Sequence, residues 1–199
     1  MVFSQRKTSR IFLLIGVICM MNACGCAENF EYEKYSAKDP ELNFTLDYIS
    51  GWLHSEQAGS KGSFSQAVFY EPSTKEHSSV AAMVATVENT QNLEIKPATI
   101  DARAEDILSR RLKFKDAQLL SKNKREILGL SALDMKLSYK TLDKLYSVDA
   151  KLRTVTEKII VLKRKDKFYT LRYQNKAEEF DKFSKAFDHL VRSLKFKDK

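Results

Sequence analysis

From Leu133 to Lys140 the chain alternates without a break: Leu133, Met135, Leu137 and Tyr139 fall on one side of an extended backbone, and Asp134, Lys136, Ser138 and Lys140 on the other. A period of two gathers apolar residues onto one face only in a β-strand, so this stretch predicts a sheet with one covered side. Near the C-terminus the period changes. Phe180, Phe183, Phe187, Leu190, Val191 and Leu194 recur at helical spacing and predict a closing helix with a single apolar stripe, with Asn175 as its expected cap.

The remaining segments divide in the same way. LNFTLDY, from Leu42 to Tyr48, alternates and predicts a strand that Ser50-Gly51 breaks before Trp52. SEQAGSKGS is read as a polar loop, and QAVFYEP as a short strand ended by Pro72. The unbroken apolar run from Val80 to Val87 predicts a central strand covered on both faces. After Pro97, Thr99 is a suitable cap for a helix whose stripe is Ile100, Ala104, Ile107, Leu108 and Leu112. LYSVDAKLRT predicts a further strand, and TEKIIVLKRKDKFYTLRYQ a pair of strands around a basic turn. Runs of strands with one helix inserted midway and another at the end predict an α+β domain, a mostly antiparallel β-sheet flanked by helices.

The N-terminal region reads as an address. Arg6, Lys7 and Arg10 precede an apolar run from Ile11 to Met21, a secretory signal layout. An 11-residue helix reaches only about 16 Å, short of the roughly 30 Å hydrocarbon core, so the run is not expected to span a bilayer. Cys19, Cys24 and Cys26 are the only cysteines, all within the first 26 residues. MNACGC is similar to the acylation site of bacterial lipoproteins, with Cys24 the favoured lipidation residue and Cys26 the alternative. An ordinary secreted protein cut near Ala23 or Ala27 is the plainer reading. The expected organisation is a lipoprotein signal peptide over 1–23, the lipidated cysteine and a tether over 24–40, and one domain over 41–199.

The cysteine-free body excludes an internal disulfide framework, a thiol nucleophile and a Cys-type zinc site there. Removing residues 1–23 lowers the net charge from +8 to +5, and the charges that remain are interleaved in sign. They lack the basic and aromatic arrays of a nucleic-acid platform.

Several stretches together resemble the PsbP family. LNFTLDYISGWLHSE resembles its opening strand and Gly-Trp turn, with Ile49 where a proline is usual; AVFYEP and VAAMVATVENT resemble its next two strands. ILGLSALDMKLSY resembles its Gly-x-x-Ala strand, and FYTLRYQNKAEEFDKFSKAFDHLVRSLKF its last strand and closing helix. The resemblance covers Leu42 to Phe196. It implies an α/β/α sandwich shared by photosystem II extrinsic proteins, a Ran-binding nuclear-transport factor and DcrB-like lipoproteins, which are mainly accessory or binding proteins.

Motifs for chemistry are sparse. There is no HExxH, no GxSxG elbow and no phosphate-binding loop, so no metal, cofactor or catalytic residue is expected. His189 reads as a helix-surface residue. A ligand or partner surface is read at Trp52, His54 and His77, with Glu56 or Glu71 as companions, and a second at the basic hairpin Lys163, Arg164, Lys165 and Lys167.

The expected function is a non-enzymatic, lipid-anchored envelope protein that binds or assists a protein partner and binds no nucleic acid. With Gly25 or Ala27 after the cysteine, it is expected on the outer membrane facing the periplasm where two membranes exist. The alternatives are a periplasmic small-ligand carrier or enzyme using Trp52, His54 and His77, and a binder of anionic lipid or envelope polymer through the hairpin.

Overall fold

The computed structural model describes residues 29–59, 64–72, 81–90, 99–142 and 151–197. Cys24, Cys26 and His77 lie outside these residues, as does the whole of the segment LYSVDA. The described chain runs β1 (Tyr32–Ser36), β2 (Phe44–Ile49), β3 (Leu53–Ala58), β4 (Phe64–Tyr70), β5 (Ala82–Asn89), α1 (Ile100–Arg111), β6 (Lys115–Ile127), β7 (Leu130–Leu142), β8 (Leu152–Arg164), β9 (Lys167–Lys176), α2 (Phe180–Ser193) and β10 (Lys195–Phe196).

Seven strands form one antiparallel sheet in the order β3-β4-β5-β9-β8-β7-β6, and a small second sheet has the order β1-β2-β10. The small sheet and α2 cover one face of the large sheet. Leu46, Phe183, Phe187 and Leu190 pack there with Met83, Ala85, Leu171 and Tyr173. On the other face α1 lays Ala104, Ile107 and Leu108 against Leu133, Met135, Val155 and Ile159. The result is a helix, sheet, helix sandwich with a core on each side of β7, β8 and β9. No helix among the described residues is long and apolar enough to cross a membrane.

Several local expectations need adjustment. Within the stretch read as a tether, Tyr32–Ser36 forms β1 paired with β2. Only Tyr35 of those five is fully buried, so the alternation is too short to register as a strand. Asn175 does not cap α2. It is buried at the end of β9, where its Nδ2 donates to the Glu179 carbonyl at 2.9 Å. Thr99 does cap α1, accepting the Ala102 amide at 3.1 Å. Leu112 lies just beyond the helix and is exposed.

Part of the polar loop SEQAGSKGS is strand, since β3 pairs with β4 over Leu53–Ala58. β5 buries one face completely, and its other face, with Val84 and Thr86, is only partly covered. That uncovered face is where the site lies.

Candidate functional site

The α1 face of the sheet is covered unevenly. The helix sits over β7 and β8, whose inward residues are apolar apart from Glu157, and leaves β4, β5 and β9 beside it. Those three strands carry a polar rung, Gln66, Thr86 and Thr170, aligned residue to residue across the ladder. Arg172 follows Thr170 by two positions and therefore shares its face. Together with Phe64 and Glu88, these residues floor a groove of about 270 Å³.

Its wall is α1. Arg103, Ile107, Arg110 and Arg111 fall three, four and seven or eight residues apart, so they share the helix flank that borders the groove. Thr99 fixes where the helix begins, and Arg110 and Arg111 occupy its last turn, where cations complement the helix dipole.

The charges are paired in two sets. The Arg103 guanidinium donates through Nε to Glu88 at 3.0 Å and through Nη2 to the same carboxylate, and it also pairs with Asp106, which holds Arg110 in turn. Beneath the groove, Glu157 has a fully buried carboxylate. It accepts from Arg111 Nε at 2.7 Å and Nη2 at 3.2 Å, and from the Tyr139 hydroxyl at 3.1 Å. Burial alone would pull the Arg111 pKa down, but the Glu157 charge and hydrogen bonds outweigh it and raise the pKa. Burial first, then Glu157, pushes the Tyr139 phenol above its ordinary value.

Arg172 is the exception in this network. Among the described residues its guanidinium reaches only Glu157, at 3.7 Å, beyond hydrogen-bond range and on a carboxylate that Arg111 already engages. Burial lowers its pKa despite the attraction of Glu157. Next to it, Thr170 Oγ1 is buried without any hydrogen-bond partner among the described residues. Most buried polar groups are satisfied, so among the described residues Thr170 and Arg172 are where the groove has hydrogen-bonding capacity to spare. Four guanidiniums against Glu88, Asp106 and Glu157 leave one positive charge in excess.

The residues singled out from sequence lie elsewhere. Trp52 is buried, with Phe183 edge-on to it at 5.0 Å, which places it in the core under α2. His54 is exposed on β3 and packs edge-on to Tyr48 and Tyr35 at 5.3 and 5.7 Å. Glu56 faces inward along the same strand and accepts from the Lys38 and Asp39 amides and the Tyr35 hydroxyl. Glu71 pairs with Lys182 at 3.3 Å. His189 stacks on Tyr32 at 3.8 Å and lies 3.4 Å from Asp47.

The basic hairpin is tied to its surroundings: Lys163 lies over Phe168, Arg164 over Phe196, and Lys167 pairs with Glu41 at 2.8 Å, while Lys165 takes the left-handed backbone of the turn. None of these side chains lines the groove. Among the described residues no group of three or more His, Cys, Asp or Glu side chains is placed to hold a metal ion.

The groove residues left a signal in the sequence all the same. Glu157 in TEKIIVL and Arg172 in YTLRYQ are charges at inward-facing positions of strands that otherwise read as core. Read in isolation each interrupts a pattern; paired across β8 and β9 they form a site.

Comparison with known proteins places the architecture. No curated protein matches the chain by sequence. The cyanobacterial PsbP of Synechocystis sp. PCC 6803 superposes with a TM-score of 0.53 at 14% identity, covering 88% of this chain and 98% of that one. The Ran-binding protein Mog1p of Saccharomyces cerevisiae gives 0.53 at 9% identity, covering 85% and 97%. A protein of unknown function from Pseudomonas aeruginosa, PA94, gives 0.51 at 11%, covering 85% and 99%. At such identities the likeness is one of fold. The PsbP family model matches residues 31–196, from the first residues of β1 to the end of β10, and on that match the chain is a member of the PsbP family.

Proposed function

We propose that this chain is a non-enzymatic binding protein of the cell envelope, anchored by lipid on Cys24, with Cys26 as the second choice, and engaging a protein partner through the groove beside α1. The groove carries the reading. Glu88 in its floor and the buried Glu157 beside it have their lone pairs occupied by guanidiniums and, at Glu157, by the Tyr139 hydroxyl, which suits them to scaffold a surface and not to move protons. Thr170 and Arg172 in the same groove keep unused hydrogen-bonding capacity. The yeast neighbour, a Ran-binding protein, is a precedent for a protein-binding use of this fold, although a fold does not transfer its partner.

The envelope location rests on the basic and apolar leader and the cysteine that follows it. A bacterial lipid anchor adds about 0.8 kcal/mol per buried methylene, so several chains hold the protein at the membrane and raise its effective concentration towards partners there. In a cell with two membranes, the residue after either cysteine directs it to the outer membrane, facing the periplasm.

Two measurements test this. Palmitate labelling is expected to vanish in Cys24→Ser, or in Cys26→Ser if that is the acylated residue; labelling that survives both changes removes the anchor. A photo-crosslinker at Gln66, in the groove floor, is expected to give one discrete adduct in native membranes, while one at Leu152, away from the groove, gives none. Equal adducts at both positions remove the groove as the contact surface.

A further inference from the structure

We infer that the groove beside α1 captures the free C-terminal carboxylate of a partner polypeptide, with the partner's apolar last side chain against Ile107. This deepens the protein-binding reading and rests on it.

The charge count sets the ligand's charge. The four guanidiniums exceed the three carboxylates by one, and the unbalanced one is Arg172. A monoanion neutralises it; a phosphate dianion would leave excess negative charge beside Glu88 and the buried Glu157. A carboxylate also matches the planar fork of a guanidinium in geometry, and charge-assisted hydrogen bonds of this kind are among the strong ones. Thr170 Oγ1, two residues along the same strand face, supplies a hydroxyl donor with no other partner among the described residues.

The lining sets what carries the charge. Ile107 borders the same groove as Arg172 and stands one helical turn from Arg111, whose partner Glu157 Arg172 also faces, so the ligand's apolar group lies beside its anionic one. A chain end has this arrangement, because carboxylate and side chain leave one Cα. A glutamate side chain puts its charge at the far end of its stem instead.

The dimensions set the source. At about 270 Å³ the groove is at the lower end of the roughly 300–1,000 Å³ of ligand sites, room for the end of a chain and little more. Its rim residue Arg110 is 56% exposed, so the groove opens to solvent and leaves room for a chain to continue outward.

The purified full-length chain, titrated by two-dimensional NMR, tests the inference with four probes: N-acetyl-glycyl-leucine, its C-terminal amide, isovalerate and inorganic phosphate. The free acid is expected to shift the Arg172 Nε–H and the Thr86 and Thr170 amide signals, and the amide to bind about tenfold more weakly or not at all. Thr170→Val keeps the shape of the side chain and is expected to weaken the free acid about fivefold. Arg172→Lys keeps the charge without the fork, and the acid-over-amide preference is expected to shrink.

Equal binding of acid and amide, or silence from all probes, overturns the inference. Isovalerate binding as tightly as the dipeptide overturns the peptide source, and tighter binding of phosphate overturns the carboxylate. A Gln66 crosslink that persists while the dipeptide fails leaves protein binding standing and sinks the chain-end assignment alone.

Discussion

Arg111 on α1 and Glu157 on β8 hold each other through two hydrogen bonds, of 2.7 and 3.2 Å, with the Glu157 side chain only 1% exposed. This pair ties the helix that walls the groove to β8. Removing one partner of a buried pair leaves an uncompensated charge, whereas replacing both with apolar side chains does not. Arg111→Met is therefore expected to destabilise the protein by about 3 kcal/mol, and Arg111→Met with Glu157→Met to recover part of that loss, since Arg172 and the Tyr139 hydroxyl also lose Glu157. Urea unfolding of both variants checks it; a double variant no more stable than the single one contradicts the pairing.

Glu56 supplies an acid-sensitive lock at the opposite edge of the large sheet. Burial opposes its charge, but the amides of Lys38 and Asp39 and the Tyr35 hydroxyl outweigh that and hold its carboxyl below the ordinary 4.5. A carboxylate depressed in the folded state adds stability that is complete above its unfolded pKa and is lost as pH falls through the folded one. The urea midpoint of the native chain is therefore expected to fall below pH 4.5 more steeply than that of Glu56→Gln. Parallel pH profiles for the two proteins would show that Glu56 does not anchor the 38–39 segment.

How much of this was readable from residues alone follows from which strands bury something. β7, β8 and β9 have long inward rows, and α1 and α2 have apolar stripes; the alternation at Leu133–Tyr139 and the stripe from Phe180 to Leu194 announce them. The two edge strands were hidden. β3 and most of β6 present mainly exposed residues, and β6 also breaks its own register twice, between Lys115 and Gln118 and between Leu119 and Ser121. An edge strand is held by backbone pairing, which side-chain pattern does not encode. Asn175 misled for a related reason. A residue type that suits a helix cap also suits a strand end where a side-chain amide must reach the next carbonyl.

Glu157 and Arg172 stand out in the sequence as charges in core-like strands, but their meeting in one site was illegible because it depends on register. Thr86 and Thr170 are 84 positions apart in sequence and become neighbours only through the β5–β9 pairing, and Arg172 meets Glu157 only through β8 and β9. Tryptophan and histidine drew attention as chemically versatile residues, yet Trp52 turned out to be core and His54 to lie among aromatic rings on an edge strand. What α1 leaves uncovered decided the site, and no local motif reports that.

Trp52 is the chain's single tryptophan, and its contact with Phe183 makes it a reporter of α2 docking. Phe183 is 3% exposed, in the aromatic layer that also takes in Phe30 at 5.6 Å. Truncating a buried phenylalanine costs about 3–5 kcal/mol, so Phe183→Ala is expected to lower stability by that order. Emission from Trp52 is expected to move to longer wavelength in the folded variant as water reaches the ring. Unchanged emission with unchanged stability would mean that α2 does not close over Trp52.

The hairpin between β8 and β9 tests whether its charges serve structure. Arg164 lies over the Phe196 ring at 4.6 Å, Tyr169 meets the same ring edge-on at 4.8 Å, and the next residue, Lys197, donates its amide to the Asn43 carbonyl at 3.0 Å. Arg164 thus presses β10 onto β2 and closes the small sheet. A cation over an aromatic face contributes about 0.5–1 kcal/mol at an exposed site, so Arg164→Gln is expected to cost about that much overall. Because β10 is only two residues long, the loss concentrates there, and the Lys197 amide is expected to exchange with solvent several-fold faster while the β8–β9 amides keep their protection. Phe196→Ala, which removes the ring both partners share, is expected to speed that exchange further. If Arg164→Gln leaves Lys197 exchange unchanged, the arginine is not part of the closure, and the small sheet is held by its backbone pairing and by Tyr169 on Phe196.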